Sequence, residues 1–176
     1  MQWLFCLSLI LSSANAQRII YGQDDRQELS DIANPTVLHA ARSVAAVVRK
    51  MHLKPLNDGS FSIVASSYGS KYHLCVSEKF WSQPAMGFCT SFLAASDIVV
   101  TAGHCIMDSS CEDTRFVFGY QLQGIEQGKI AAAQVFKCKA VLQREVNHFG
   151  ADFAVVQLDR PVEDRSPLIV RASGNP

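Results

Sequence analysis

Two side chains in this sequence are placed where a proton could be moved. His104 stands at the end of a run that opens at Cys89 and closes with Thr101-Ala102-Gly103-His104-Cys105. A hairpin pattern runs into a corner of small residues there, and the corner delivers an imidazole. A general base needs its ring held in one orientation, and such a corner restricts it. Asp152 opens the segment Asp152-Phe153-Ala154-Val155-Val156-Gln157-Leu158, an acid immediately before a buried-strand pattern, forty-eight residues after His104. His39, His52, His73 and His148 lack comparable neighbours and read as ordinary core or surface histidines. His73-x-Cys75 is the one other close pair of ligand types. It has no companion carboxylate or histidine at helical spacing, so no metal site is expected. Neither C-x-x-C nor G-x-S-x-G occurs, and Ser60 and Ser173 do not stand in a nucleophile's context.

The elements that must position these residues are mostly strands. From residue 85 onward, Phe88–Leu93, Ile98–Thr101, Arg115–Tyr120, Ile130–Cys138 and Phe153–Leu158 are short and rich in β-formers. Turn residues separate them, and this rhythm predicts an all-β antiparallel barrel or sandwich. Upstream, Asn34-Pro35-Thr36 reads as a helix start. Ser43–Val48 fits a continued helix and a buried strand equally well. Asn57-Asp58-Gly59-Ser60 predicts a hairpin turn, and residues 17–34 an extended polar arm.

Composition narrows the partners. The 176 residues carry 16 Lys plus Arg against 16 Asp plus Glu, and 48% are apolar. A packed core is feasible, no basic field exists to hold nucleic acid, and no run approaches the roughly 20 apolar residues of a membrane span. Met1–Ala16 is free of charge, is apolar from Trp3 to Leu11 except at Ser8, and ends Ala14-Asn15-Ala16. This predicts a signal peptide over residues 1–16, cleaved before Gln17, and a secreted or periplasmic protein. Cys6 leaves with it, so the mature chain keeps Cys75, Cys89, Cys105, Cys111 and Cys138, an odd number in an oxidising compartment.

The window around His104 resembles the T-A-[AG]-H-C motif of the chymotrypsin-like (trypsin-fold) serine proteases, and the family's disulfide across this loop has the same sixteen-residue separation as Cys89 and Cys105. Asp152-Phe153-Ala154-Val155-Val156-Gln157-Leu158 resembles the family's D-[IF]-A-[LV]-[LV]-x-L segment, which carries the triad aspartate, at a separation close to the template's value of about 45. The resemblance implies a Cys89–Cys105 bridge and a first chymotrypsin-like β-barrel over residues 85–172, begun within 17–84. Residues 173–176 would start the crossover to a second barrel that this chain lacks. It also implies roles. Asp152 would accept the Nδ1–H bond and fix the tautomer, and His104 would take a proton from a serine and return it to the leaving amine. Cys111 and Cys138 could meet across a hairpin, leaving Cys75, although the pairing of these three stays open.

The implied protein is a secreted serine endopeptidase acting on protein or peptide substrates without a cofactor. The chain holds no nucleophile, so residues 1–176 alone are expected to be inactive. The alternative is a catalytically inactive secreted homologue that binds a partner. Arg18-Ile19-Ile20-Tyr21-Gly22 resembles the family's R-[IV]-[IV]-G-G activation site, with Tyr21 in place of the first glycine. Gly22-Gln23-Asp24-Asp25-Arg26 looks more like the arm of the bacterial glutamyl-endopeptidase branch, so activation at Arg18 and a simple strand-forming arm both stand. The family builds its side-chain pocket and oxyanion hole in the second barrel, which leaves specificity unread.

Overall fold

Alternation of buried and exposed residues builds a closed antiparallel barrel. The computed structural model describes residues 23–120, 128–147, 150–169 and 173–174. The expected signal peptide, the Arg18-Ile19 segment and His148 lie outside them. Six strands form the barrel: β1 (Val44–Arg49), β4 (Gly87–Ala95), β5 (Ile98–Thr101), β6 (Thr114–Phe118), β8 (Val135–Val146) and β9 (Asp152–Leu158). Their order is β1-β4-β5-β9-β8-β6, and β6 pairs back onto β1. Closure leaves these six strands no free edge. A small three-stranded sheet, β2 (Leu53–Pro55), β3 (Phe61–Ile63) and β7 (Lys129–Ile130), packs beside it.

Side chains of period two fill the barrel. Ala154, Val156 and Leu158 of β9 meet Val99 of β5, Leu93 of β4, Ala45 and Val47 of β1, and Phe116 and Phe118 of β6 in one core. Phe118 stacks edge-on to Phe136 at 5.5 Å between centroids, a favoured aromatic geometry. Alternation fails at Val48 and Val117, which face outward yet are fully buried. They belong to a second core with Leu53, Met86, Ile130 and Val135, under the small sheet.

Helix α1 (Pro35–Arg42) begins as its sequence predicts: the Asn34 side chain accepts the amide hydrogen of Thr36 at 2.9 Å, satisfying one of the first-turn donors. The ambiguity over 43–48 resolves into a boundary. The helix stops at Arg42 and β1 starts at Val44, because this β-branched run pairs on both sides, with β4 and β6. Gly59, at φ 77°, turns β2 into β3 as expected. A second helix of one turn, α2 (Tyr68–Lys71), is capped by Ser67.

The segment Ile130–Cys138 is not one strand. A 3-10 turn at Ala132–Gln134 divides β7 from β8. Consecutive alanines at 131–133 offer little to a pleated surface. The Arg160 guanidinium donates to the carbonyls of Ala132, Ala133 and Val135, holding the turn. β8 then runs on to Val146, eight residues past Cys138. Its polar end, Gln143-Arg144-Glu145, hid it from a hydrophobic reading. Among the described residues, no helix is long and apolar enough to cross a membrane.

Candidate active site

The turn after β5 carries His104 to the rim of the barrel. Gly103–Cys105 forms a single 3-10 turn, closed by the Cys105 amide bonding to the Ala102 carbonyl at 3.0 Å. Neighbouring strands press on it from beneath. A β-carbon at Gly103 would lie 2.2 Å from the Glu145 carbonyl oxygen and 2.9 Å from that of Phe153. Only glycine allows this approach. Cys105 and Ile106 sink into the core behind the turn, so the histidine between two anchors has little freedom.

Asp152 arrives from the start of β9. The pairing of β9 with β5, Thr101 opposite Ala154, brings the two chain segments side by side. One carboxylate oxygen accepts the His104 backbone amide at 2.9 Å, and the other lies 2.6 Å from the ring Nδ1. A nitrogen facing an ionised carboxylate at that distance carries the proton, which leaves Nε2 as the lone-pair nitrogen. The hydrogen bond from His104 holds the Asp152 carboxyl below its ordinary value, and partial burial opposes that only in part. The imidazole side chain is 65% exposed and the carboxylate 36%.

Cys89 and Cys105 are joined, as are Cys111 and Cys138, and Cys75 is a free, exposed thiol. The first bridge ties the end of the histidine turn to β4. The second links the segment before β6 to β8, across the pairing of Arg115 with Lys137. Potential ligand atoms of Cys89, His104 and Cys105 lie within 4.8 Å of one another. With the two sulfurs bonded together neither is a thiolate, so this cluster is a bridged histidine turn rather than a metal centre.

An apolar depression of about 450 Å³ adjoins Asp152, lined by Phe92, Val100, Ala102, Phe153 and Leu168 among others. A larger cavity, about 690 Å³, touches neither His104 nor Asp152. Its Arg165 is already bonded to Asp164, Gln134 and the Arg42 carbonyl, as a structural contact would be. His39, His52 and His73 stay apart from the site. His52 bonds the Val64 carbonyl, and His73 takes a positive φ in the loop after α2.

One residue escaped the sequence reading. The Arg144 Nε–H donates to the carbonyls of Gly103 and Ile106, at 2.8 and 2.7 Å. An arginine in the polar end of a strand carries no sequence mark of such a contact.

The family model described as Trypsin matches residues 57–173. The chain belongs to the trypsin family. That match covers β3 to β9, including both His104 and Asp152, and the single closed barrel agrees with one chymotrypsin-like barrel. Membership makes it a protein of the serine protease class, with protein or peptide substrates. No curated protein matches the chain.

Proposed function

We propose that this chain supplies the histidine and aspartate of a Ser-His-Asp triad in a secreted serine endopeptidase. The observation that carries the reading is the double hold of Asp152 on His104, backbone amide and ring Nδ1 together. A carboxylate in that position sets the tautomer and stabilises the imidazolium formed when Nε2 takes a proton. The 65% exposure of the imidazole leaves room for a nucleophile and substrate beside it. The reaction needs a serine that the sequence does not present in a G-x-S-x-G context, so the nucleophile and the oxyanion donors come from outside these 176 residues. Attack of the serine oxygen on the scissile carbonyl would pass its proton to His104 and then to the leaving amine. Water would release the acyl group by the same relay. Export is supported by the uncharged leader pattern, two disulfides and the habit of the family.

The missing serine motif favours a second reading, a secreted homologue that binds without catalysis. An imidazole–carboxylate pair gives a binder no evident advantage, which tells against it. The coding sequence after Pro176 separates the two: an open frame carrying G-D-S-G-G supports the enzyme, and a stop codon there supports the binder.

A further inference from the structure

We propose that Arg144 is a positioning residue for His104, aimed at the histidine turn by a bulge in β8. The inference rests on the catalytic reading of His104 and names a second device that orients it.

The argument starts from register. Val141 of β8 lies opposite Val156 of β9, but Gln143, not Leu142, lies opposite Val155, and Arg144 opposite Ala154. Leu142 is thus the extra residue of a bulge. Side chains opposite one another in an antiparallel pair share a face. Ala154 is buried in the barrel core, so the extra residue puts Arg144 on the core-facing side. Without the bulge, Gln143 would stand there. Bulges re-aim side chains in this way.

The consequence is at the rim. β8 ends beneath the turn that carries His104, as the close approach of the Glu145 carbonyl to Gly103 shows. The single Nε–H of Arg144 is shared between the carbonyls of Gly103 and Ile106, which bracket His104 and Cys105. Among the described residues, neither carbonyl takes part in the backbone hydrogen bonds of the surrounding turns. One cationic donor therefore closes both ends of a four-residue segment, and a charge-assisted bond to a carbonyl is stronger than a neutral one. Asp152 grips the same residue from β9. The histidine is held by two adjacent strands, by its ring and amide on one side and by its flanking carbonyls on the other. An ordinary surface arginine would spread its donors into solvent; this one, though exposed at the rim, commits its Nε–H to two carbonyls.

The test is nuclear magnetic resonance of the full chain, comparing wild type, Arg144→Met, Arg144→Lys and Asp152→Asn. The probe is the His104 Nδ1–H, which resonates downfield of the amides when bonded to a carboxylate. It should be present in the wild type and absent from Asp152→Asn. In Arg144→Met it should be lost to exchange with solvent, with both disulfides and the remaining amide spectrum unchanged. Arg144→Lys, whose ammonium can donate to the same carbonyls, should restore it at least in part. A resonance unchanged in folded Arg144→Met overturns the proposal. So does failure of Arg144→Met to fold, which would make Arg144 a part of the barrel rather than of the histidine's alignment. The readout does not involve turnover. If the signal is lost on Arg144→Met while the protein expressed from its complete coding sequence hydrolyses nothing, this inference stands and the catalytic reading falls.

Discussion

Asp152 receives two hydrogen bonds from a single residue, and its acidity follows from them. Its folded pKa lies below the ordinary 3.8 because the His104 hydrogen bond favours the ionised form. A carboxyl depressed in this way adds stability above its unfolded pKa and loses it as pH falls through the lower folded value. The His104 Nδ1–H resonance should accordingly survive acidification past the ordinary carboxyl value of 3.8 and vanish only as pH falls through the lower folded value. The carboxylate is partly exposed, so its stabilising share is small and screened by salt. In a catalytically complete protein, Asp152→Asn should lower kcat by about 10⁴, the size of the effect in the template triad, because the amide favours the wrong tautomer. Gly103→Ala tests the corner itself. A methyl 2.2 Å from a backbone oxygen should cost about 1–3 kcal/mol in urea unfolding, as overpacking does. Unaltered stability would mean that the turn is looser than its geometry.

Among the elements, the histidine turn shows how much could be read and why the rest could not. Thr101-Ala102-Gly103-His104-Cys105 is local, and the packing demand on Gly103 is met within the motif. The contribution of Arg144 is not local. It depends on a one-residue bulge in β8, and register shifts leave no trace in a hydrophobic pattern. The end of β8 is illegible in the sequence for a related reason, since residues 142–147 are all exposed and therefore do not alternate. At Ala131–Ala133 the sequence read as strand, but Arg160 captures the carbonyls and makes a turn. The disulfides are an element-scale prediction as well. Non-reducing peptide mapping should find Cys89 with Cys105 and Cys111 with Cys138, and among these described cysteines alkylation should mark Cys75 alone. Cys89→Ser with Cys105→Ser should lose about 3 kcal/mol, the loop-closure value for some 15 residues.

At the scale of the whole molecule, two cores share the strands β1 and β6. Val48 and Val117 face the small sheet while Val47 and Phe116 face the barrel. This is why both strands read as continuous apolar runs rather than alternating ones, and why helix and strand could not be told apart at 43–48. Phe116→Ala should cost about 3–5 kcal/mol, measured by denaturant unfolding, since it empties the centre of the barrel core. The exported protein should begin at Gln17 by intact mass; retention of Met1–Ala16 would defeat the secretory reading. The most direct measurement of the catalytic claim is peptide hydrolysis by the protein expressed from its complete coding sequence, wild type against His104→Ala. The wild type should hydrolyse peptides and be blocked by serine-directed phosphonylating reagents, and His104→Ala should lose nearly all turnover. Hydrolysis at an unchanged rate in His104→Ala, or none in the wild type, would contradict it.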